Sequence, residues 1–340
     1  MLALGVDALN LVADRRGMGR FARTVLCGLR DVPEVRACLI VRDPAHAEML
    51  RDEMGMNAVL LPDVARARLD AVWYPWNGVR FVPHSPHFVT IHDTFAFTRP
   101  HGNLIARWRE QAPIRRGIRS ADAFSTVSRW SAGEIQRIFH IDRSRVEVIN
   151  PIPDAFWKPI AVPRPRSPYM LFVAGPDERK NAGLLFAAFE RAFPYRDVML
   201  IVAGKLRDGD EDALGSARIA QQRVRPDDET LRELYSGALA VVIPSLAEGY
   251  GVMAVEAMAC GAPVIAADAA ALPEACDGAA VLAPPTGLDA WSDALARVAG
   301  DSTLRAQMQR RSLDRAAKID RTHPARAIAA LARRVAAAGR

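Results

Sequence analysis

Short apolar runs alternate along this chain with longer stretches whose apolar positions recur every three or four residues. Runs at Leu2–Val6, Ala37–Val41, Ala58–Leu61 and Ala71–Tyr74 are apolar on successive positions rather than alternate ones, and Phe88–Ile91, Ala123–Val127 and Val146–Ile149 are mostly apolar with a polar residue or two inside. That pattern predicts strands buried on both faces, which is the condition of a parallel sheet covered by helices. Between them, helical periodicity fits 20–29, where Phe21, Val25, Leu26 and Leu29 share a face, and also 45–53, 104–119 and 131–139.

Prolines then crowd together at Pro151, Pro153, Pro159, Pro163, Pro165 and Pro168, and the periodicity stops. Proline removes ladder donors and fixes an extended path, so this stretch reads as a linker. The alternation resumes with strands at Tyr169–Val173, Val198–Val202, Leu239–Ile243 and Val264–Ala267, helices at 181–193 and 228–236, and further helices from Leu288 onward. The expected fold class is α/β with two tandem Rossmann-like domains: 1–160, then 161–322, then a C-terminal helix over 323–340 that could pack back on the first domain. That helix places Ile328, Leu331 and Val335 on one side, as packing requires, and Arg326, Arg333 and Arg334 on the other, as a membrane surface would.

The most informative stretch is Pro244 to Val264. The apolar run 239–243 stops at Pro244, a loop carrying Glu248, Gly249, Tyr250 and Gly251 follows, and a helix is expected from Val252. A strand, a glycine loop and a helix in that order point backbone N–H groups at an anion. A carboxylate beside a phosphate is unfavourable unless it contacts something else, and it can accept from two sugar hydroxyls at once. Glu248 and Glu256 therefore suggest polyols flanking a pyrophosphate, as in a nucleotide sugar. Upstream, Arg179 and Lys180 precede Asn181 at an expected helix start. Cations there oppose the helix dipole, and they make sense if they face a diphosphate.

Composition narrows this only a little. In 340 residues, half hydrophobic and a quarter charged, Lys and Arg outnumber Asp and Glu by 45 to 39, for a net charge of +6. That fits either a solvated basic surface or a partner carrying phosphate, and no nucleic-acid motif accompanies it. Cys27, Cys38, Cys260 and Cys276 form no close pair, so reduced thiols in the cytoplasm are expected rather than a disulfide or zinc framework. No apolar run approaches the ~20 residues of a spanning helix, and the N-terminus lacks a signal-peptide pattern. Membrane contact would be peripheral. The segment 104–119 is the candidate, with Leu104, Ile105 and Trp108 among Arg107, Arg109, Arg115, Arg116 and Arg119.

Weaker signals remain. Gly17 and Gly19 sit between a strand and a helix as either a tight turn or a phosphate-approach loop. Ala22 stands where a dinucleotide fingerprint would have its third glycine, which disfavours a nicotinamide cofactor. His92 and Asp93 close the strand 88–91, where ligands of open α/β sheets bind; Asp93 is expected to hold the tautomer of His92. No metal is expected: His84, His87 and His92 share no helical face, and the acidic run from Asp208 to Asp212 reads as a solvated loop.

Taken together in this order, the motifs resemble the retaining glycosyltransferases of family 4. They are Glu248 and Glu256 with seven residues between them, Ala257 to Val264, Gly175 with Arg179-Lys180-Asn181, Val89 to Asp93, Thr126 to Ser128, Leu272 to Glu274, and Asp227 to Glu229. The resemblance implies the GT-B fold, two Rossmann-like domains facing across a cleft. It implies a nucleotide-sugar donor without further cofactor or metal, GDP-mannose being the first candidate, and a glycan or lipid-linked acceptor. By the same resemblance Arg179 and Lys180 hold the pyrophosphate, Glu256 the ribose, Glu248 the transferred sugar, and Gly249, Tyr250, Gly251 and Val252 the distal phosphate. His92 touches the sugar, Asp93 counts among the donor-binding residues, and Gly17 and Gly19 lie near the phosphates or the acceptor. Rival readings are another GT-B enzyme, such as a sugar-nucleotide epimerase, and a non-catalytic sugar-nucleotide-binding subunit. The chain departs from the family pattern at Arg16 to Gly19, at Asn150-Pro151-Ile152 and at Thr322-His323-Pro324.

Overall fold

Among the described residues every strand pair within each of the two sheets runs parallel in the computed structural model, which describes residues 1–14, 17–163, 167–195, 198–210, 226–339 and the backbone of 219–222. The chain forms two units, Met1–Ile152 with Asp320–Arg340, and Pro153–Ile319.

The N-terminal unit is built on β1 (Leu2–Asp7), β2 (Val35–Val41), β3 (Asn57–Leu60), β4 (Ala71–Tyr74), β5 (His87–Ile91), β6 (Ala123–Thr126) and β7 (Val146–Val148). Among the described residues they lie in the order β3-β2-β1-β4-β5-β6-β7. The order reverses between β1 and β4, where Leu4 pairs with Ala71 and Val6 with Trp73. Helices α1 (Gly17–Leu29), α2 (Pro44–Met54), α3 (Phe95–Thr98), α4 (Leu104–Ser120) and α5 (Arg129–Phe139) fill the connections. β4 and β5 are buried at every position; β4 accordingly reads as an unbroken apolar run, and in β5 the polar His87 and Thr90 are buried with hydrogen-bond partners, Ser120 for His87 and Trp73 and Ser125 for Thr90. Caps set the helix starts: Asp43, Asn103 and Ser128 each accept from backbone N–H groups of the first turn.

The C-terminal unit repeats the plan with β8 (Tyr169–Val173), β9 (Met199–Ala203), β10 (Ile219–Gln222), β11 (Ala240–Ile243), β12 (Val264–Ala267) and β13 (Val281–Ala283), ordered β10-β9-β8-β11-β12-β13. Its helices are α6 (Ala182–Ala192), α7 (Asp228–Gly237), α8 (Val252–Ala259), α9 (Leu272–Cys276), α10 (Leu288–Gly300) and α11 (Ser302–Ala317). Here the order reverses between β8 and β11, with Met170 opposite Ala240. The proline-rich stretch is not all linker. Trp157 is buried in this unit's core, its ring tilted against that of Tyr235 at 5.7 Å, and Arg232 lies over the ring of Phe156.

The last helix, α12 (His323–Ala338), belongs to the N-terminal unit. Ile328, Ala329, Leu331, Ala332 and Val335 join the core that α1 and β1 build, while Arg334 reaches Glu147 at 2.9 Å. A Cβ on Gly28 of α1 would come within 2.8 Å of the Ala325 methyl, so α1 and α12 approach at a distance only small residues allow.

Candidate active site

In the C-terminal unit the connections after β8 and β11 meet where the strand order reverses, the place where open α/β sheets bind ligands. After β8 the chain turns through a short 3-10 segment, Glu178–Lys180, and enters α6 through Asn181 in the left-handed conformation (φ 55°). Asparagine tolerates that backbone better than most residues. Its Nδ2 donates to the carbonyls of Pro244 and Pro285, both at 3.1 Å, tying the β8 loop to the β11 loop. A backbone bond from the Leu246 N–H to the Arg179 carbonyl, 2.8 Å, adds a second tie.

This stitching places two cations against two carboxylates. Lys180 Nζ donates to Glu248 Oε1 at 2.7 Å. Arg179 is clamped by Asp177: its N–H meets Oδ1 at 2.9 Å, and Nε and Nη2 meet Oδ2 at 2.9 and 2.6 Å, while Nη1 reaches the Ala247 carbonyl at 3.3 Å. Neither cation is freely solvated, since the Arg179 and Lys180 side chains are 20% and 17% exposed. Burial pushes the Glu248 carboxyl up, but the Lys180 ammonium beside it, backed by Arg179, more than offsets this and holds it below the usual carboxylate range. Asp177 is likewise pushed up by burial and pulled lower on balance by Arg179. Both acids are therefore ionised near neutral pH, and both cations are held by charge-assisted bonds that a diphosphate would exchange for its own.

The loop after β11 ends at Gly251, whose φ of +107° favours glycine and whose Cβ would lie 2.9 Å from Leu272 Cδ2. Gly251 starts α8 with no side-chain cap, an arrangement that suits an anion at the first turn. Glu256 lies on α8 and is 2% exposed, a carboxylate buried in an otherwise apolar helix. Its charge, after burial itself, helps push the Cys260 thiol up to about 12. Tyr250 is buried too, its hydroxyl 3.4 Å from Arg315 Nη2. Val252 opens α8 and Gly249 precedes Tyr250 in the same loop.

The remaining candidate residues lie in the N-terminal unit. His92 follows β5 and is buried, its ring edge-on to Phe21 at 5.3 Å. Its tautomer is fixed by the Pro75 carbonyl, 2.8 Å from Nε2. A carbonyl only accepts, so Nε2 carries the proton and Nδ1 is left as an acceptor. Asp93 does not set the tautomer as expected from adjacency. Its Oδ1 caps the Phe95 N–H at 3.0 Å and its Oδ2 receives Asn77 Nδ2 at 3.4 Å. Burial holds His92 below the ordinary histidine range, against the Pro75 bond and the charges of Asp93 and Asp14. Gly17 and Gly19 form the first turn of α1 rather than a free loop. A Cβ on Gly19 would collide with the Asp14 carbonyl, whereas Gly17, at φ +34°, faces open space.

Of the histidines considered for a metal, His87 Nε2 meets Ser120 Oγ at 3.0 Å and His92 Nε2 meets the Pro75 carbonyl at 2.8 Å. In the acidic run, Asp210 pairs with Arg207 at 3.2 Å, while Glu211 and Asp212 lie outside the described residues, as do Arg15, Arg16 and Pro165. Two participants escape sequence reading. Asp177 carries one local signal, its spacing two before Arg179, which suits an Asx turn. The bridging role of the Asn181 amide depends on carbonyls 63 and 104 residues away and has no local signal.

Known proteins resemble each half. A family model described as Glycosyl transferases group 1 matches residues 167–301, and one described as Glycosyltransferase Family 4 matches residues 11–154. The chain is 28% identical over 276 residues to the O-antigen chain mannosyltransferase B of Escherichia coli, covering 72% of this chain and 70% of that protein. It is 30% identical over 227 residues to a D-inositol 3-phosphate glycosyltransferase of Kribbella flavida, covering 58% of this chain and 53% of that one, so it spans about half of that relative. Among solved structures, Anabaena HepE in complex with UDP and glucose superposes with a TM-score of 0.74 at 16% identity, over 97% of this chain and 99% of that one.

Proposed function

We propose that this chain, which belongs to the group 1 and family 4 glycosyltransferases, moves a hexose from a nucleoside diphosphate sugar to a glycan or lipid-linked acceptor with retention at the anomeric carbon. Its fold is GT-B, two Rossmann-like domains in one chain. The observation that carries the reading is the cluster of Arg179, Lys180 and Glu248 at the β8/β11 reversal, beside the glycine-led start of α8. Cations alone would suit any phosphate. A carboxylate held ionised among them suits a ligand that is both phosphate and polyol.

On donor binding, the diphosphate takes Arg179 and Lys180 from Asp177 and Glu248. Glu248, released, accepts from hydroxyls of the transferred hexose, and Glu256 accepts from the ribose. The amides at the start of α8 meet the distal phosphate, and Nδ1 of His92 offers an acceptor to a hexose hydroxyl. As the bond from the anomeric carbon to phosphate breaks, the acceptor oxygen bonds to that carbon on the same face and its proton passes to the departing phosphate oxygen. The guanidinium and ammonium stabilise the charge that grows on the leaving group, which is the work a divalent metal does in other transferases. The E. coli relative supports mannose as the first candidate sugar, with GDP-mannose as donor.

None of the four cysteines is in a disulfide, in keeping with a reducing cytoplasmic setting. Among the described residues no helix is long and apolar enough to cross a membrane. Peripheral contact with an anionic membrane face is supported by α4, where Leu104, Ile105 and Trp108 are each about 70% exposed beside Arg107, Arg115 and Arg119.

The test is a melting-shift screen of nucleotide sugars followed by transfer assays with the ligands that stabilise the protein, and NMR of the anomeric product. A GDP-sugar that stabilises and is turned over with retention meets the expectation. Binding without transfer to any glycan acceptor, or an inverted product, would overturn it.

A further inference from the structure

We propose that Arg315 is a positioning residue of the donor site: from α11 it fixes the loop between β11 and α8, acting through the Tyr250 hydroxyl and through α9. That this loop serves a donor rests on the glycosyltransferase reading above; the tie between Arg315 and the loop does not.

One face of α11 carries Met308, Ser312 and Arg315, at helical spacings of four and three. Met308 and Ser312 are buried, and Ser312 Oγ donates to the carbonyl of Ala262, just past the end of α8, at 2.7 Å. Arg315, one turn on, reaches the loop that enters the same helix. Its side chain is only 15% exposed. Nε donates to the Ala275 carbonyl of α9 at 3.1 Å, and Nη2 donates to the Tyr250 hydroxyl at 3.4 Å. The Asp277 carboxylate stands 3.9 Å from Nε and is largely exposed, so that ion pair contributes little. A guanidinium withdrawn from water is thus held by a carbonyl and a phenol, two acceptors fixed in the fold.

Both acceptors bear on the loop. Tyr250 lies two residues after Glu248 and two before Val252, the first residue of α8. It is 4% exposed, so its side chain is turned into the unit as an anchor. Burial pushes the phenol up, which keeps it a neutral hydroxyl able to accept the Arg315 N–H. Gly249 and Gly251 flank it, and glycine on both sides leaves a loop many conformations from which an anchor must select one. Gly251 rests on α9: a Cβ there would lie 2.9 Å from Leu272 Cδ2 and 3.5 Å from Ala275 Cβ. Ala275 is also the residue whose carbonyl Arg315 holds, one of the last-turn carbonyls that a helix end leaves open. Arg315 therefore grips the loop directly at Tyr250 and from beneath at Gly251. Those two residues set where Glu248 and the first amides of α8 stand.

The experiment compares the full chain with R315M, Y250F and the R315M/Y250F double variant. Hydrogen–deuterium exchange without ligand reads the bonded amides of Leu246 and Ala254, at the two ends of the loop, against those of β8. Calorimetry reads affinity for GDP and UDP. We expect loop exchange to rise about fivefold or more in each single variant with β8 unchanged. Affinity for the nucleotide that the parent binds should fall about threefold to tenfold, the worth of about one hydrogen bond. The double variant should bind within about twofold of R315M, because the two residues act as one unit. An R315M protein that melts lower yet keeps parental loop exchange and affinity has lost a merely structural arginine, which overturns the inference, as do additive losses in the double variant. If R315M does not fold, unaltered loop exchange in Y250F overturns it and faster exchange supports it. A parent that binds neither nucleotide would instead overturn the donor reading, and the exchange measurement would still decide on the tie.

Discussion

Lys180 Nζ and Glu248 Oε1 stand 2.7 Å apart, joining the turn before α6 to the loop before α8. In the same turn Asp177 holds Arg179. The two cations that the donor's diphosphate would use are thus already satisfied by carboxylates, so donor binding is an exchange of partners rather than the filling of an empty charged site. This keeps the cations oriented, and it lowers affinity for a bare anion by the strength of the bonds given up.

Lys180→Ala removes charge from the leaving group and leaves Glu248 without its counter-ion. Loss of one such stabilising group costs about 2–4 kcal/mol of barrier, roughly 30- to 1,000-fold in kcat. Steady-state transfer kinetics check this. Activity within twofold of the parent would remove Lys180 from the mechanism.

Asp177→Asn keeps the shape of the turn but withdraws the charge that competes for Arg179. GDP and inorganic pyrophosphate should then bind more tightly, by roughly threefold to tenfold, the worth of about one hydrogen bond. Calorimetry decides between this and a purely structural Asp177, for which affinity would be unchanged or would fall.

Two acids give opposite pH dependences of stability. Glu248 is held below its ordinary range, so its contribution is present above its unfolded value near 4.5 and is lost as the pH falls through the lower folded value. Asp7 is the reverse. It is fully buried, only Oδ1 is paired (with the Leu9 N–H), and burial pushes its carboxyl up to about 6 despite Arg80 and Arg42. The folded state therefore prefers protonated Asp7, a preference present in full below 3.8 and lost as the pH rises through about 6. Asp7→Asn should raise the apparent Tm at pH 8, by an amount corresponding to about 2 kcal/mol, and leave it nearly unchanged at pH 4. Equal shifts at both pH values would show that the carboxyl charge is not the cause.

Gly251→Ala places a methyl at φ +107° and against Leu272. Strain of this kind costs about 1–3 kcal/mol, and relief by moving the loop would displace Glu248. We expect a lower Tm together with weaker nucleotide binding. A variant that melts and binds like the parent would mean that the loop has another low-energy path.

If α4 meets an anionic membrane, the protein should co-sediment with vesicles containing phosphatidylglycerol and not with neutral ones, and binding should weaken with salt. Trp108→Ala, at an exposed position, should reduce that binding without altering transfer to a soluble acceptor. Equal sedimentation with both vesicle types, or none, would count against the membrane role.

What the sequence determined by itself is local and repetitive. Mostly apolar runs told buried parallel strands from amphipathic ones, because a strand covered on both faces has no consistently polar side to show. The proline cluster marked a break in the alternation, and the glycine-led loop between Glu248 and Glu256 marked a site, because backbone freedom and carboxylate chemistry are properties of the residues themselves. What only the tertiary structure decided is who meets whom. Adjacency suggested Asp93 as the partner of the His92 ring; the Pro75 carbonyl is the partner, because it faces the ring while Asp93 turns back to cap Phe95. Arg179 and Lys180 read as cations awaiting a phosphate; the fold gives each a carboxylate, one two residues away and one 68 residues away. Gly19 read as either a tight turn or a ligand loop; close packing against the Asp14 carbonyl demands glycine there whichever it serves. Tyr250 meets Arg315 from a helix 65 residues further on, and no short window of sequence contains both. Periodicity reports whether a position is buried, but the choice of partner is made when distant segments converge at the ends of a sheet.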